Sequence, residues 1–290
     1  LFYRNDLFEA AGKKPPTTFD ELKELAAFFT DNPDFPGVKG FVTNNARGVA
    51  AGQEFYQWLP SAGGKAWASH EFGATPTETY SDLTPAFDDA AVDLIKYLKS
   101  MMAYGPAGVE GFDWDQRGAA FASGNIAMTN MWSVRANLSN IPETSNIVGK
   151  FSTTQFPHAE GAQSRPPAGG WILCVNKHSK NKDAAWDYIK WITSQEIAVE
   201  FARLGGPPNR ISTFSDPEVR ENWPWTDDLF KSSEAAFAEV RPRHAATSQM
   251  IDIVGIEVNK ALIGEQSAEE AVEAINSKHT KLLRRNGLLE

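Results

Sequence analysis

Apolar residues recur at helical spacing in several separate stretches of the chain, and each stretch has its own start and stop signals. The first covers residues 22–29 and follows Thr18 and Glu21, which form a capping-box pair. Further stretches with this pattern cover residues 84–102, 114–124, 185–192, 195–204, 217 onward, 250–262 and 268 onward. The pattern predicts a chain in which helices are the commonest element.

Short apolar runs lie between the helical stretches and have the length of strands. They cover residues 1–3, 40–42, 126–128 and 170–175. Short strands that alternate with helices along the whole chain predict an α/β architecture. No stretch approaches the roughly 18 consecutive apolar residues of a membrane-spanning helix, so none is predicted.

Charge and cysteine content narrow the possible partners. The chain has 290 residues, enough for two domains, and 28 basic against 37 acidic residues give a net charge of −9. That field would repel a nucleic acid, so nucleic-acid binding is not expected. Cys174 is the single cysteine and excludes an internal disulfide. It lies in the apolar run 171–175, where we expect a buried, unreactive thiol.

Nine tryptophans are a high number for this length, and the positions of seven of them indicate two different roles. Trp186 and Trp191 lie within predicted helices, where we expect a structural role. Another group lies at predicted element ends or in loops: Trp58, Trp132, Trp171, Trp223 and Trp225. An indole at such a position can offer a rigid apolar face to a sugar ring. The alternative, that these rings fill the core or cover loops, stays open.

Polar side chains next to these tryptophans suit the hydroxyl groups of a sugar. Gln53 and Glu54 precede Trp58, Asn130 precedes Trp132, and Arg210 follows a Gly-Gly-Pro-Pro stop signal. Hydroxyl groups both donate and accept hydrogen bonds, so they need such paired partners. Taken together, the two patterns favour a ligand cleft.

Catalytic and metal-binding patterns are weaker. Asp113 and Asp115 could act as a carboxylate pair, but an Asp-Trp-Asp run before a helix is more typical of a cap plus a solvated side chain. The five histidines are scattered without metal-ligand spacing, and no nucleophile elbow, phosphate loop or dinucleotide fingerprint occurs. We therefore predict no enzyme, no metal site and no cofactor.

Several segments resemble, in the expected order, the extracellular solute-binding proteins of family 1, the maltose-binding-protein-like components of ABC importers for sugars and polyols. The segments are LFYRNDLFEAAG at 1–12, PPTTFDEL at 15–22, AFASGNIAM at 120–128 followed by Trp132, GGW at 169–171, SKNKDAAW at 179–186, RPR at 241–243 and SAEEA at 267–271. They span essentially the whole chain. Asn125 departs from the family pattern, which has Lys there, and the helix after residue 243 carries no Trp.

The resemblance implies an α/β fold of the periplasmic-binding-protein type II, a two-lobed clamp that closes on its ligand. Residues 1–168 would form the first part of the C-terminal lobe, 169–214 a segment of the N-terminal lobe, and 215–290 the return to the C-terminal lobe. On this resemblance the chain would be mainly the C-terminal lobe, without most of the N-terminal lobe and without a signal peptide. An isolated chain would then expose an apolar lobe-facing surface, which favours dimerisation.

The resemblance also implies a ligand site. Trp132 matches the family's sugar-stacking tryptophan, and Gly170 and Trp171 match the segment that edges the cleft. The remaining candidates are Glu54, Tyr56, Trp58, Asn130, Arg210 and Arg243. The implied function is reversible capture of a mono- or oligosaccharide or a polyol in the periplasm or elsewhere outside the cytoplasm. Delivery goes to an ABC permease, which supplies the only membrane contact.

Two alternatives remain open. A carbohydrate-active hydrolase would use Glu54, Asp113 or Asp115 as its carboxylates. A non-transport interaction protein would keep the same fold but show no saturable sugar binding. Turnover of chromogenic glycosides separates the first alternative from a binding protein.

Overall fold

The computed structural model describes residues 1–69, 83–204, 206, 208–236, 241 and 245–289. Its strands are β1 (Phe2–Tyr3), β2 (Lys39–Val42), β3 (Ile126–Thr129) and β4 (Ser152–Thr153). Its helices are α1 (Asn5–Ala11), α2 (Phe19–Phe29), α3 (Val49–Trp58), α4 (Asp89–Met101), α5 (Trp114–Ala122), α6 (Lys182–Ile192), α7 (Gln195–Arg203), α8 (Ile211–Phe214), α9 (Pro217–Asn222), α10 (Thr226–Glu234), α11 (Thr247–Leu262) and α12 (Ala268–Arg285). The mixed α/β composition predicted from the alternation of elements is confirmed.

The strands form one sheet with the order β2-β3-β1-β4. β2 runs parallel to β3, with Val42 opposite Thr129, whereas β1 is antiparallel to both β3 and β4. β3 is buried along its whole length, as expected for a central strand covered on both faces. Because β2 and β3 are parallel, their carboxyl ends lie at the same edge of the sheet, and this edge positions the candidate site.

The capping signals in the sequence appear as real caps. Thr18 accepts a hydrogen bond from the Glu21 amide, and the Glu21 carboxylate accepts one from the Thr18 amide. Ser267 and Glu270 repeat this arrangement at the start of α12. By contrast, α4 begins at Asp89 rather than near residue 84, because the Asp88 carboxylate caps the Ala90 amide. Local capping chemistry thus decides where these helices begin.

Helix α3 packs directly on α11 through glycines. A Cβ atom on Gly52 would lie 2.0 Å from the Ile251 carbonyl oxygen, and one on Gly255 would lie 1.7 Å from the Gly48 carbonyl oxygen. Only hydrogen at these two positions allows the backbones to approach this closely. The contact holds α3, which carries Glu54, firmly against the long helix α11.

The apolar core contains several of the tryptophans expected at a ligand cleft. Trp58 has no exposed surface and packs against four aromatic rings: Phe19, Phe41, Tyr97 and Phe156. Trp223 and Trp225 are buried in a second cluster, where the Trp223 indole donates to the Ala202 carbonyl. The expectation that these three rings face a ligand is corrected in favour of the core alternative, because tertiary packing encloses them.

Residues 169–176 lie outside any strand, contrary to the prediction of a strand over residues 170–175. Their apolar side chains face solvent, and Trp171 is 97% exposed. Cys174 is also exposed, so the expectation of a buried thiol is wrong for this structure. A strand is stable only when a neighbour pairs with its backbone, and this segment has no such neighbour among the described residues.

Helix α6 forms as predicted, yet it buries none of its residues. Trp186 and Trp191, expected to be structural, are each 55% exposed, and Tyr188 lies between them at 56%. Tyr188 and Trp191 contact each other with ring centroids 5.8 Å apart, and we call the exposed apolar side chains Trp186, Tyr188 and Trp191 the α6 face. Exposed apolar area of this kind is typical of a surface that another body covers.

None of the helices in the part of the chain that the structure describes is long and apolar enough to cross a lipid bilayer.

Candidate functional site

The candidate site lies where the parallel strands β2 and β3 end. Thr43 follows β2 and Asn130 follows β3, and both side chains are buried. The strand ends are joined by a hydrogen bond of 2.9 Å from the Thr129 hydroxyl to the Val42 carbonyl. In open α/β sheets, ligands bind outside the carboxyl ends of the strands. The edge at the carboxyl ends of β2 and β3 is therefore the candidate ligand-binding site.

Two indoles stand at this edge. Trp132 comes shortly after β3, and Trp114 is the first residue of α5. Their ring centroids are 6.3 Å apart and the ring planes differ by 28°. Both side chains are half-buried, and Arg135 links their two segments through a 2.7 Å ion pair with Asp115. The pair provides an apolar platform, called here the indole pair.

A buried carboxylate, Glu54, lies behind the strand ends and gathers donors from several elements. Its Oε1 accepts hydrogen bonds from the Thr43 hydroxyl at 2.6 Å, the Trp58 indole at 2.7 Å and the Asn130 amide. Its Oε2 pairs with the Arg117 guanidinium at 3.0 Å. The Glu54 side chain is only 2% exposed, so this network belongs to the interior.

The Glu54–Arg117 pair is buried on both sides. Burial lowers the pKa of the Arg117 guanidinium, and the facing Glu54 carboxylate opposes that shift. Each charge is costly to bury alone, so removal of one partner would leave the other uncompensated. Because the two charges neutralise each other, this layer presents no net charge to the indole pair.

Several buried polar atoms around this edge have no hydrogen-bond partner within the described residues. They are Asn44 Oδ1, Trp114 Nε1, Arg117 Nε and Asn130 Oδ1. A buried polar atom without a partner is costly, and native structures usually supply a water molecule or a ligand there. The set contains two acceptors and two donors, which matches the mixed hydrogen bonding of hydroxyl groups.

The predicted site residues divide into three groups. Trp132, Asn130 and Glu54 are brought together at the strand ends, though Glu54 lies in the interior. Trp58 and Tyr56 lie in the core and contribute no exposed surface to the site. Burial also raises the pKa of the Tyr56 phenol far above its usual range.

The third group lies elsewhere. Gly170 and Trp171 belong to the exposed segment that precedes α6. Arg210 is exposed, and its Nε donates to the Thr193 carbonyl at 3.0 Å. Arg243 falls outside the described residues. The structure does not join Gly170, Trp171 or Arg210 to the indole pair.

The carboxylates that a hydrolase would need already have structural roles. Asp113 caps α5 through the Asp115 amide at 2.9 Å, as the sequence predicted. Asp115 pairs with Arg135, and Glu54 binds the four donors described above. Among residues 1–69, 83–204, 206, 208–236, 241 and 245–289, no group of three or more His, Cys, Asp or Glu side chains could hold a metal ion.

Sequence reasoning missed Trp114, Arg117, Thr43 and Asn44. Trp114 lies beside Asp113, which was recognised as a cap, so the start of α5 was visible while the role of its first side chain was not. Arg117 has no local signal, because its partner Glu54 lies far away in sequence. Thr43 and Asn44 follow a predicted strand, and this position at a strand end is the signal that could have found them.

Residues 1–199 match the family of bacterial extracellular solute-binding proteins. The chain belongs to this family. Its members are substrate-binding transport proteins rather than enzymes. A solute-binding protein of an ABC transporter from Agrobacterium radiobacter K84, solved with ribitol, is 31% identical with a TM-score of 0.83. Maltose-bound MalE3 of T. maritima is 28% identical with a TM-score of 0.82. The predicted family and its periplasmic-binding-protein fold are thereby confirmed.

The solute-binding proteins that this chain matches are longer than the chain. The match covers 97% of this chain in both structures, but 68% of the ribitol-bound protein and 70% of MalE3. A protein of Sinorhizobium fredii, named a probable amino-acid ABC transporter periplasmic-binding protein, is 27% identical over 99% of this chain. The chain spans 63% of that relative's length.

Proposed function

We propose that this chain is the substrate-binding part of an ABC importer. It reversibly binds a monosaccharide, an oligosaccharide or a polyol and delivers it to a membrane permease. The observation that carries the proposal is the indole pair, with centroids 6.3 Å apart, at the edge where β2 and β3 end. Buried polar atoms without partners lie beside it.

The chemistry of the edge fits a polyhydroxylated ligand. An indole offers a flat apolar face to the C–H groups of a sugar ring or a polyol chain. Asn130 Oδ1 and Asn44 Oδ1 can each accept a hydrogen bond from a ligand hydroxyl, and Trp114 Nε1 can donate one. Such a ligand would satisfy buried atoms that otherwise carry a desolvation penalty.

The charge balance favours a neutral ligand over an amino acid. The buried charges behind the indole pair are Glu54 and Arg117, and they bind each other at 3.0 Å. A free amino acid carries a carboxylate and an ammonium group, and each needs an opposite charge or several donors when it is buried. Sugars and polyols make no such demand.

In the two-lobed arrangement, residues 1–168 and 215–290 form the C-terminal lobe and residues 169–214 belong to the N-terminal lobe. The exposed α6 face supports this division, since another part of a two-lobed protein would cover it. Closure of the lobes would then bring Gly170, Trp171 and Arg210 towards the ligand. The site of action would be the periplasm, where the permease takes over the ligand.

The test measures ligand binding to the protein expressed from its complete gene. Thermal unfolding and calorimetry are run with ribitol, D-mannitol, maltose, glycine and glutamate. A bound solute at about 100 times its Kd stabilises the folded state by about 2.7 kcal/mol. A shift with a sugar or polyol supports the proposal. A shift with glycine or glutamate alone contradicts it.

Trp132→Ala locates the site, with Trp191→Ala as the matched control on the α6 face. Loss of an indole platform should weaken binding by about tenfold or more, because a buried aromatic contact contributes over 1 kcal/mol. Trp191→Ala should leave the affinity within about twofold. Equal affinities in the two variants would remove the indole pair from the proposed site.

A further inference from the structure

Glu54 was predicted as a ligand contact, but its carboxylate is buried and already binds four protein donors. It accepts hydrogen bonds from Thr43 at 2.6 Å, from Trp58 at 2.7 Å and from Asn130, and it pairs with Arg117 at 3.0 Å. A carboxylate offers about four acceptor positions. The Glu54 side chain is also only 2% exposed, so a ligand hydroxyl could reach it only by entering the interior and competing with these donors.

Two of these donors lie next to the indole pair. Arg117 follows Trp114 by one turn of α5, and Asn130 lies close before Trp132 after β3. By binding both donors, Glu54 joins the start of α5 to the end of β3. The separation and tilt of the two rings, 6.3 Å and 28°, depend on how these two elements are held together.

Glu54 also determines which end of the Asn130 amide is available. The Asn130 Nδ2 group donates to Glu54, so the amide orientation is set by that bond. Asn130 Oδ1 then points away from Glu54, and it is buried with no partner among the described residues. The network therefore presents an acceptor, rather than a donor, at the strand ends.

We infer that Glu54 is a positioning residue of the proposed sugar or polyol site. It does not touch the ligand. It holds Asn130 with Oδ1 ready to accept a hydrogen bond from a ligand hydroxyl, and it holds Trp114 in place beside Trp132. This inference rests on the proposed function and adds that the ligand presents a hydroxyl donor to Asn130 next to the indole pair.

The test is an exchange of donor and acceptor between positions 54 and 130. Glu54→Gln alone removes the charge that pairs with Arg117, and the new NH2 group must then face either the Arg117 guanidinium or the donors of Trp58 and Asn130. Asn130→Asp alone puts two carboxylates against each other. In the double variant, the new amide at 54 can donate to the new carboxylate at 130, whose second oxygen again serves as an acceptor. The double variant has the same total charge as the wild type, because Glu54→Gln removes one carboxylate and Asn130→Asp adds one.

Binding is measured by calorimetry in the protein from its complete gene, with whichever of ribitol, D-mannitol and maltose the wild type binds best. Each single variant should bind at least about tenfold more weakly, since each leaves a buried polar group badly paired. Adding Glu54→Gln to Asn130→Asp should increase the affinity. If Glu54 contacts the ligand or serves stability alone, the second substitution lowers affinity further or leaves it unchanged, and the inference is overturned.

Glu257→Gln is the matched control. Glu257 is also buried, binding Lys260 on α11, Lys278 on α12 and Gln266 in the connection between the two helices. The Glu257→Gln substitution should lower the melting temperature and change the ligand affinity by no more than about twofold. If Glu54→Gln behaves in the same way, Glu54 has a structural role only. Should Glu54→Gln fail to fold, the comparison of Asn130→Asp with the double variant still decides.

A second measurement needs no ligand and separates failure of this inference from failure of the proposed function. The indole pair should contribute to the near-ultraviolet circular dichroism, and Trp132→Phe defines that contribution. Because the Trp58 indole also binds Glu54, the comparison concerns only the part of the signal that Trp132→Phe removes: we expect Glu54→Gln to change that part and Glu257→Gln to leave it unchanged. An unchanged signal in Glu54→Gln overturns the inference even if the wild type binds none of the solutes.

Discussion

Helices α2 and α6 have the same length and a similar amphipathic pattern, but they have opposite environments. Each has 11 residues with an apolar face. The buried residues of α2 are Phe19, Leu22, Ala26 and Phe29. α6 buries none, although its face carries Trp186, Tyr188 and Trp191. The pattern of apolar residues thus predicts a helix and the face that seeks burial, whereas the partner that buries this face comes from elsewhere in the structure.

The tryptophans show the same difference at single positions. Trp58 has no exposed surface, and Trp191 is 55% exposed. The predicted roles were the reverse, because a ring within a helix was expected to be structural and a ring at an element end was expected to meet a ligand. Position along an element did not distinguish them, since burial depends on which other elements pack against the ring.

The largest expected effect comes from comparing these two rings by substitution. Trp58→Ala should lower the free energy of unfolding by about 3–5 kcal/mol, because it removes a fully buried ring from among four aromatic neighbours. Trp191→Ala should change it by less than about 1 kcal/mol in this chain. Urea unfolding of both variants measures the difference. Similar losses in the two would mean that the α6 face is packed after all.

Low pH should lower the free energy of unfolding through protonation of His279. Burial lowers the pKa of this imidazole from 6.5 to about 4, although its bond to the Met250 carbonyl opposes the shift. The folded state therefore binds a proton less readily than the unfolded state. The contribution of His279 to the free energy of unfolding is therefore fully present above about pH 6.5. It decreases as the pH falls, and about 3 kcal/mol is lost at pH 4.

The variant His279→Gln isolates this contribution from the other titrating groups. Its free energy of unfolding should decline less than that of the wild type between pH 7 and pH 4. The measurement is denaturant unfolding at several pH values. Parallel curves for the two proteins would show that His279 is not buried in its neutral form.

Glycine substitutions test the close packing of α3 on α11. Gly255→Ala should lower the free energy of unfolding by about 1–3 kcal/mol. Its Cβ would meet the Gly48 carbonyl oxygen, and the backbone there cannot easily move aside. Gly170→Ala is the control, since a Cβ there has no described atom within 4 Å. We expect that control to stay within about 0.5 kcal/mol of the wild type. A harmless Gly255→Ala would show that the helices are further apart.

The smallest effect concerns the exposed segment before α6. Cys174 should react with a thiol reagent in this chain without denaturant, because its side chain is exposed. In the protein from its complete gene, the proposed two-lobed arrangement predicts a slower reaction, since residues 170–175 would pair as a strand. Absorbance of the released thiolate follows both reactions. Equal rates would contradict the proposed position of this segment.

Most of the local structure was predictable. The capping pairs Thr18–Glu21 and Ser267–Glu270 both form, because each depends on two side chains that are three residues apart. Strands β2 and β3 were predicted close to their observed bounds. The strand predicted over 170–175 does not form in this structure, because a strand requires a neighbour and the apolar pattern alone does not supply one.

The site was predictable only in part. Trp132 and Asn130 were found from the resemblance and from their positions after a strand, and their contribution to binding stays a prediction. Trp114 and Arg117 were missed because their partners are distant in sequence. Glu54 was recognised as important, but its role could not be assigned without knowing that four donors surround it.

The sequence by itself determined the helices, their caps, the α/β class and the family, because these follow from short-range spacing and from ordered motifs. Only the tertiary structure decided which apolar faces are buried, which tryptophans meet solvent and which polar atoms lack partners. These properties arise from contacts between residues far apart in the chain, as between Glu54 and Arg117. Local spacing does not predict such contacts, and it does not predict burial, because burial depends on the elements that pack around each residue.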